Sequence, residues 1–284
     1  MEALVSKGFL IYAENKENAD YIQQAYALAL SIQYSQQEIK SVSLVTNDIN
    51  IPTEYRKVFD NIIPVPWYTN PGTEFSAEHR WKLYHATPYD ETIVLDADML
   101  LLEDISTWWN YCSNFDIKFC SKITNYKLEP IASDSVNRKT FIDNKLPNPY
   151  YALHYFKKGD FAHDFYKVLE FVINNWEYCR GTFAPNTPQS WISMDLATAI
   201  AIKISAVEDE VIDNTNPMHF VHMKPAIQGW ASTPISWRNF VNYSLNDKGE
   251  FVVGNIKQGK LFHYVENDFM NANIIKRLKV LANG

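Results

Sequence analysis

Two carboxylates one residue apart, Asp96 and Asp98, interrupt the apolar stretch Glu91-Thr-Ile-Val-Leu-Asp-Ala-Asp-Met-Leu-Leu-Leu102. A buried strand has little reason to end in two acids and then turn apolar again, because an unpartnered buried carboxylate is costly and normally has a counter-charge or a metal. Side chains two apart on a strand share a face, so both acids are expected to point one way at the carboxyl end of a strand, where open α/β sheets place their ligands. Hard oxygen ligands suit Mg²⁺ or Mn²⁺, and a cation held there would neutralise a diphosphate. The plainer alternative is that one acid caps the following turn and the other is solvated. Asp96-Ala97-Asp98 is the only such pair in the chain.

The elements before the pair repeat. Residues 8–13 read as a first strand, and residues 19–33 as a helix capped by Asn18, with Ile22, Ala25, Tyr26, Ala29 and Ile32 at helical spacing. A second strand over 41–46 and a short helix from Pro52 to Phe59 follow. A third strand over 61–65 is expected at a sheet edge because of Pro64. A loop over 66–75 and a helix opened by Ser76 and running to about Ala86 lead into the fourth strand, 92–95. Alternating strands and helices predict an α/β fold with a mainly parallel sheet and right-handed crossovers. No GxGxxG or GK[ST] loop is present, so a bound nucleotide needs another phosphate anchor.

Beyond Leu102 the alternation weakens. A helix over 105–112 and a strand over 116–120 precede a polar, irregular stretch, 125–149, with the composition of a mobile loop. Then come a strand over 150–156, a helix over 160–175, a loop over 181–189 and an apolar helix over 193–202 that carries Asp195 at its start. Strands are expected within 218–224, 251–253 and 260–265, and a last helix over 271–281.

Apolar residues make up 46% of the 284, enough for a sizeable core. The net charge of −7, with no basic cluster, argues against nucleic acid or an anionic membrane as partner. No apolar run approaches the roughly eighteen residues of a membrane span, and the N-terminus lacks a signal-peptide core. Three sparse cysteines suit a reducing, cytoplasmic location.

The stretch Ile93-Val-Leu-Asp-Ala-Asp-Met-Leu-Leu resembles the metal-binding stretch of GT-A-fold glycosyltransferases, closest to the glycogenin-like group (family eight). The preceding Arg80-Trp-Lys-Leu-Tyr-His-Ala-Thr-Pro-Tyr89 looks like that family's helix with a basic residue and Leu before a Tyr. The first strand, through Tyr12 and Ala13, with Tyr21 behind it, resembles the family's uridine-binding start. The match is good over about residues 8–105. The resemblance implies a single GT-A domain, with a nucleotide-binding half over about 1–105 and an acceptor half over about 106–284. It also implies a hexosyltransferase-like enzyme with a UDP-sugar donor, Mn²⁺ (or Mg²⁺), an acceptor of unknown kind and retention of anomeric configuration.

Residue by residue, the resemblance has Asp96 and Asp98 on the metal, with Ala97 beside the donor, and Tyr21 stacked on the base. Lys82 matches the family's Lys-Leu pair, while gapless counting back from the acids points to Arg80; either is a candidate for phosphate or sugar. Met194-Asp195-Leu196 resembles the Asp-Gln pair that opens an apolar helix, with Leu in place of Gln, making Asp195 the candidate catalytic residue. The family's Asn-Ser-Gly strand has only Tyr151-Ala-Leu-His154 as its nearest equivalent. The third ligand, a C-terminal His, falls on His263 by chain order, with His222 and His219 in Met218-His-Phe-Val-His-Met-Lys-Pro225 as alternatives. With His263 as ligand, His222 and Lys224 are expected to face phosphate or acceptor. Two other readings compete. A haloacid-dehalogenase-type phosphatase would carry its Asp pair on the first strand and another acidic metal pair later, whereas here some 95 residues precede the pair and no adjacent Asp-Asp exists. A binding protein of the same fold without catalysis would accommodate the departures at 152–154 and Leu196.

Overall fold

A computed structural model of the chain describes residues 6–69, 77–132, 138–227, 241–264 and 266–284. Its largest sheet has six strands in the order β3-β2-β1-β4-β8-β6. These are β1 (Lys7–Tyr12), β2 (Val42–Val45), β3 (Asn61–Ile63), β4 (Glu91–Asp96), β6 (Ile117–Cys120) and β8 (Tyr150–Lys157). The first four are mutually parallel, whereas β8 runs antiparallel to both β4 and β6. β3 takes the edge, as expected, although it ends at Ile63, one residue before Pro64.

A second sheet, β5-β13-β9-β7, is built from β5 (Met99–Leu101), β7 (Lys122–Asn125), β9 (His219–His222) and β13 (Leu261–His263). A small antiparallel sheet joins β10 (Tyr243–Leu245), β11 (Phe251–Val253) and β12 (Ile256–Gln258).

Helix α1 (Tyr21–Ser35) starts two residues later than expected, because Asp20 and not Asn18 caps it: the Asp20 carboxylate accepts the Gln23 N–H at 2.8 Å. Its Ile22, Ala25 and Ala29 pack on Ile11, Leu44 and Leu95 of the large sheet. Tyr26 and Leu30, on its other side, pack on Phe262 of the second sheet and Leu278 of the last helix. α1 is therefore the wedge between the two sheets. A short α2 (Thr53–Arg56) follows.

The expected helix before β4 is instead a 3₁₀ segment, Ala77–Lys82, continued by a single turn, α3 (Leu83–Ala86). Its expected start, Ser76, and most of the 66–75 loop lie outside the described residues. α4 (Ser106–Cys112), α5 (Lys139–Asp143), α6 (Asp160–Asn174) and α7 (Trp176–Phe183) come next. They are followed by α8 (Met194–Ser205), α9 (Glu208–Val211) and α10 (Ala272–Asn283). The stretch expected to be wholly irregular after Asn125 thus contains α5, and α7 reaches into the expected 181–189 loop. α6 and α8 cover the face of the large sheet opposite α1, where Leu169, Val172, Ala197 and Ile200 share a core with Leu10, Val94 and Trp81.

Candidate active site

β4 delivers Asp96 as its last residue, Ala97 and Asp98 form a two-residue turn, and β5 starts at Met99. Since β4 and β5 lie in different sheets, this turn carries the chain from one sheet into the other. The same-strand alternation expected for the two acids is thus corrected: a turn, not a pleat, brings them together. β13 pairs antiparallel with β5, setting His263 opposite Met99, and the Tyr264 N–H donates to the Asp98 carbonyl at 3.1 Å. Ligand atoms of Asp96, Asp98 and His263 consequently all fall within 4.8 Å of one another.

His263 Nε2 lies 3.1 Å from Asp98 Oδ1, and His263 Nδ1 is buried with no hydrogen-bond partner among the described residues. Burial alone would push the Asp98 carboxyl up and the His263 imidazole down. Their mutual attraction outweighs it in both cases, holding Asp98 below the usual carboxylate range and His263 above its ordinary value. Arg80 supplies the balancing charge on the other acid: its Nη1 is 2.6 Å from Asp96 Oδ1, and its Cζ lies 4.8 Å from the centre of the Tyr12 ring. Burial works against that guanidinium, but Asp96 more than offsets it and keeps Arg80 protonated. Two carboxylates and an imidazole within reach of one point are a donor set that fits a divalent cation of the Mg²⁺/Mn²⁺ class.

Asp195 sits in the first turn of α8, behind the Ser193 cap. Its Oδ1 accepts the Tyr151 N–H at 2.8 Å and its Oδ2 the Arg138 guanidinium at 2.5 Å. The Tyr151 hydroxyl in turn donates to the Arg80 carbonyl at 2.8 Å. A continuous run of hydrogen bonds thus links Asp195 to the residue that pairs with Asp96.

At the end of β1, Tyr12 stands in register with Asp96. Its hydroxyl donates to Glu14 and lies 3.2 Å from His79 Nδ1. Burial would raise the Glu14 carboxyl, yet His79 and Tyr12 hold it below its ordinary value. The Tyr68 ring lies over His79 with 5.0 Å between centroids.

Superposed on solved structures, the chain matches the galactosyltransferase LgtC, determined with donor and acceptor sugar analogues, over 97% of its own length and 95% of LgtC (TM-score 0.52, 12% identity). It matches mouse xyloside xylosyltransferase 1, in apo form, over 94% of its length and 100% of that chain (TM-score 0.51, 11% identity). It also matches the bifunctional glycosyltransferase WbbM over 99% of its length, spanning 50% of that chain (TM-score 0.51, 9% identity). The chain has the GT-A fold. No protein-family model matches the sequence, and neither does any curated protein.

Within this GT-A fold the expected site residues separate into two groups. Asp96, Asp98, His263, Arg80 and Tyr12 converge. Ala97 is buried in the turn, and Ala13 donates to the Val45 carbonyl just beyond β1. Tyr21 opens α1 and packs, half-buried, against the core on that side. His222 stands opposite His263 in β9, with 5.4 Å between ring centres. It is outside the three-ligand cluster, and burial, reinforced by His263 and Lys224, pushes it down to about 3, so it is neutral. His219, on the other face of β9, lies against the Pro217 carbonyl and Trp108. Lys224 pairs with Glu266 at 3.3 Å. Lys82 is not at the acids at all, since its ammonium donates to the Trp67 carbonyl at 2.8 Å. Sequence reasoning missed Glu14, His79 and Arg138. Glu14 carried a weak signal, an acid just past an apolar strand; Arg138, inside an aperiodic polar stretch, carried none.

Proposed function

We propose that the protein is a metal-dependent glycosyltransferase that moves a sugar from a nucleoside-diphosphate sugar, a UDP-sugar, to an acceptor, with retention of configuration. The observation that carries this reading is the Asp96–Asp98–His263 cluster at the carboxyl end of β4 in a GT-A fold. Those three residues would hold Mn²⁺ or Mg²⁺, which as a Lewis acid stabilises charge on the leaving diphosphate. The chain's own groups do the rest. Arg80, fixed between Asp96 and the Tyr12 ring, presents a preorganised positive charge beside the same space. Glu14, kept ionised by His79 and Tyr12, offers an acceptor for an imide N–H, which uracil has and cytosine lacks. Tyr21, at the start of α1, is proposed to border the base. Asp195, oriented on two sides by Arg138 and the Tyr151 N–H, is held to one rotamer and is proposed to contact the transferred sugar. His222 and Lys224 are proposed to line the phosphate side. Among the described residues no helix is long and apolar enough to cross a membrane.

The test is to incubate the protein with a panel of sugar nucleotides and Mn²⁺ and to measure nucleoside diphosphate release. Release from one donor, abolished in Asp98→Ala, is the expected result. Donor binding without turnover across a broad acceptor screen would sink the transferase reading in favour of a binding protein, and phosphate release from phosphomonoesters would favour a phosphatase.

A further inference from the structure

A lone exposed tyrosine needs no explanation, but Tyr68, five residues beyond β3 and 43% exposed, is held in place. The residue before it, Trp67, has a φ of +47°, a left-handed conformation that a bulky residue keeps only where its surroundings enforce it. The Trp67 indole lies parallel to that of Trp81, with 14° between planes and 6.0 Å between centroids, and His85 meets it edge-on at 5.1 Å. Tyr68 is thereby set on His79, which is wholly buried, with 49° between the rings and 5.0 Å between their centroids. The fold fixes these two residues as a pair and leaves part of the phenol ring uncovered.

His79 connects that ring to an ionised carboxylate. Its Nδ1 lies 3.2 Å from the Tyr12 hydroxyl and 3.5 Å from Glu14 Oε2, while its Nε2 is buried with no hydrogen-bond partner among the described residues. Burial, Glu14 and Asp48 together push the Tyr68 hydroxyl above its ordinary value, so the phenol stays protonated beside two acids. Those acids stand just beyond β1 and β2, at the end of the sheet that carries Asp96. Tyr12 and Trp81 belong to the core under α6 and α8, whereas Tyr21 packs on the opposite face, in the core under α1. Tyr68 and Tyr21 therefore approach the end of β1 from different sides, and Tyr68 is the one joined through His79 to Glu14. A carboxylate reads the edge of a bound ring and an aromatic side chain its face. With the imide edge of a base at Glu14, the aromatic face beside that edge belongs to Tyr68.

We propose that Tyr68, rather than the Tyr21 that the family resemblance points to, supplies the face on which the nucleobase of the donor stacks. This rests on the proposed nucleotide donor, but not on sugar transfer, because the readout is binding. Uridine, which has no phosphate, is titrated by ligand-observed NMR and UDP with Mn²⁺ by calorimetry, with methyl glycosides as the competing probe. Tyr68→Ala, a change at an exposed side chain, should weaken uridine and UDP alike on the order of tenfold, equivalent to about 1.4 kcal/mol. Tyr68→Phe, which keeps the ring, should stay within about twofold of the wild type. Tyr21→Ala should cost less than Tyr68→Ala, and Mn²⁺ affinity without nucleotide should be unchanged in both Tyr68 variants. Wild-type uridine affinity in Tyr68→Ala would overturn the assignment. So would a loss confined to UDP, which would move the ring to the phosphates, or Tyr68-dependent binding of a methyl glycoside with uridine unaffected. A wild-type protein that binds neither uridine nor UDP would sink the nucleotide donor and the stacking face together. UDP held at wild-type strength by Tyr68→Ala would remove the stacking face alone.

Discussion

Replacing Arg138 with methionine tests whether Asp195 is held by a designed contact or merely lies near one. The guanidinium donates to Asp195 at 2.5 Å, to Asn148 Oδ1 at 2.7 Å and to the Pro149 carbonyl at 2.7 Å, and it lies 3.9 Å from the centre of the Tyr150 ring. Breaking a buried ion pair by deleting one partner costs about 3–5 kcal/mol. Here the Asp195 side chain is 26% exposed, so water screens part of the stranded charge and about 2–3 kcal/mol is the expected loss. At roughly 2–4 °C per kcal/mol for a chain of this size class, Tm should fall by about 4–12 °C. Asp195→Asn keeps an acceptor for the Tyr151 N–H and should cost about 1 kcal/mol. Because both changes act on one interaction, the double variant should be more stable than the two losses predict by more than about 1 kcal/mol. Thermal unfolding of the wild type and the three variants at pH 7, followed by circular dichroism, measures this. Additivity within about 0.5 kcal/mol would refute the coupling and with it the argument that Arg138 orients Asp195.

His263→Ala should weaken Mn²⁺ binding more than about 100-fold and His222→Ala no more than about tenfold, a ranking that calorimetric titration reads directly. Equal losses would mean that the ligand assignment is wrong. Arg80→Met should slow donor turnover by about 10²–10³, while Lys82→Met, whose ammonium serves Trp67, should leave the donor step near its wild-type rate; the opposite order in initial-rate assays would reverse the two assignments. Asp213 is exposed enough to be hydrated, but its ion pair with buried Lys118, together with donors on Thr215 and Tyr111, overcomes burial and holds its carboxyl well below the usual range. Stability from such a depressed acid is fully present above the unfolded value near 3.9 and is lost as pH falls through the folded one. The Tm gap between wild type and Asp213→Asn should therefore close below about pH 4, and a gap unchanged from pH 7 to pH 2 would contradict the pairing.

The strands leading to the acids were legible because each is a local apolar run: β1, β2 and β4 fall within a residue or two of the expected ranges. Strand direction and sheet membership were not. Nothing within Met99–Leu101 says that its partner is Leu261–His263, and nothing within Tyr150–Lys157 says that it enters the large sheet antiparallel. The three-residue strands β10 and β12 are too short to display a period. Arg80 and Lys82 could not be ranked from sequence because the answer depends on helix type. In a 3₁₀ segment three residues complete a turn, so His79 and Lys82 share one buried side while Arg80 swings toward Asp96. The acid pair and the apolar helix that opens at Asp195 were legible as local pattern, whereas singling out Asp195 and preferring His263 to His222 needed the family resemblance. Arg138 needed the tertiary fold, since Asn148, Pro149 and Asp195 reach it from separate places in the chain.

The crossing at Ala97–Asp98 also sets a timetable. β5 is an edge strand whose neighbour in the sheet is β13, so the polypeptide lays it down early and leaves it unpaired until residues near the far end emerge. A contact so distant in sequence is slow to close and late to form during synthesis. A nascent or C-terminally shortened chain would carry both aspartates and the whole parallel half-sheet, yet lack the imidazole and the strand that fixes the second acid. The Asp96–Asp98–His263 cluster is therefore complete only once β13 has paired with β5.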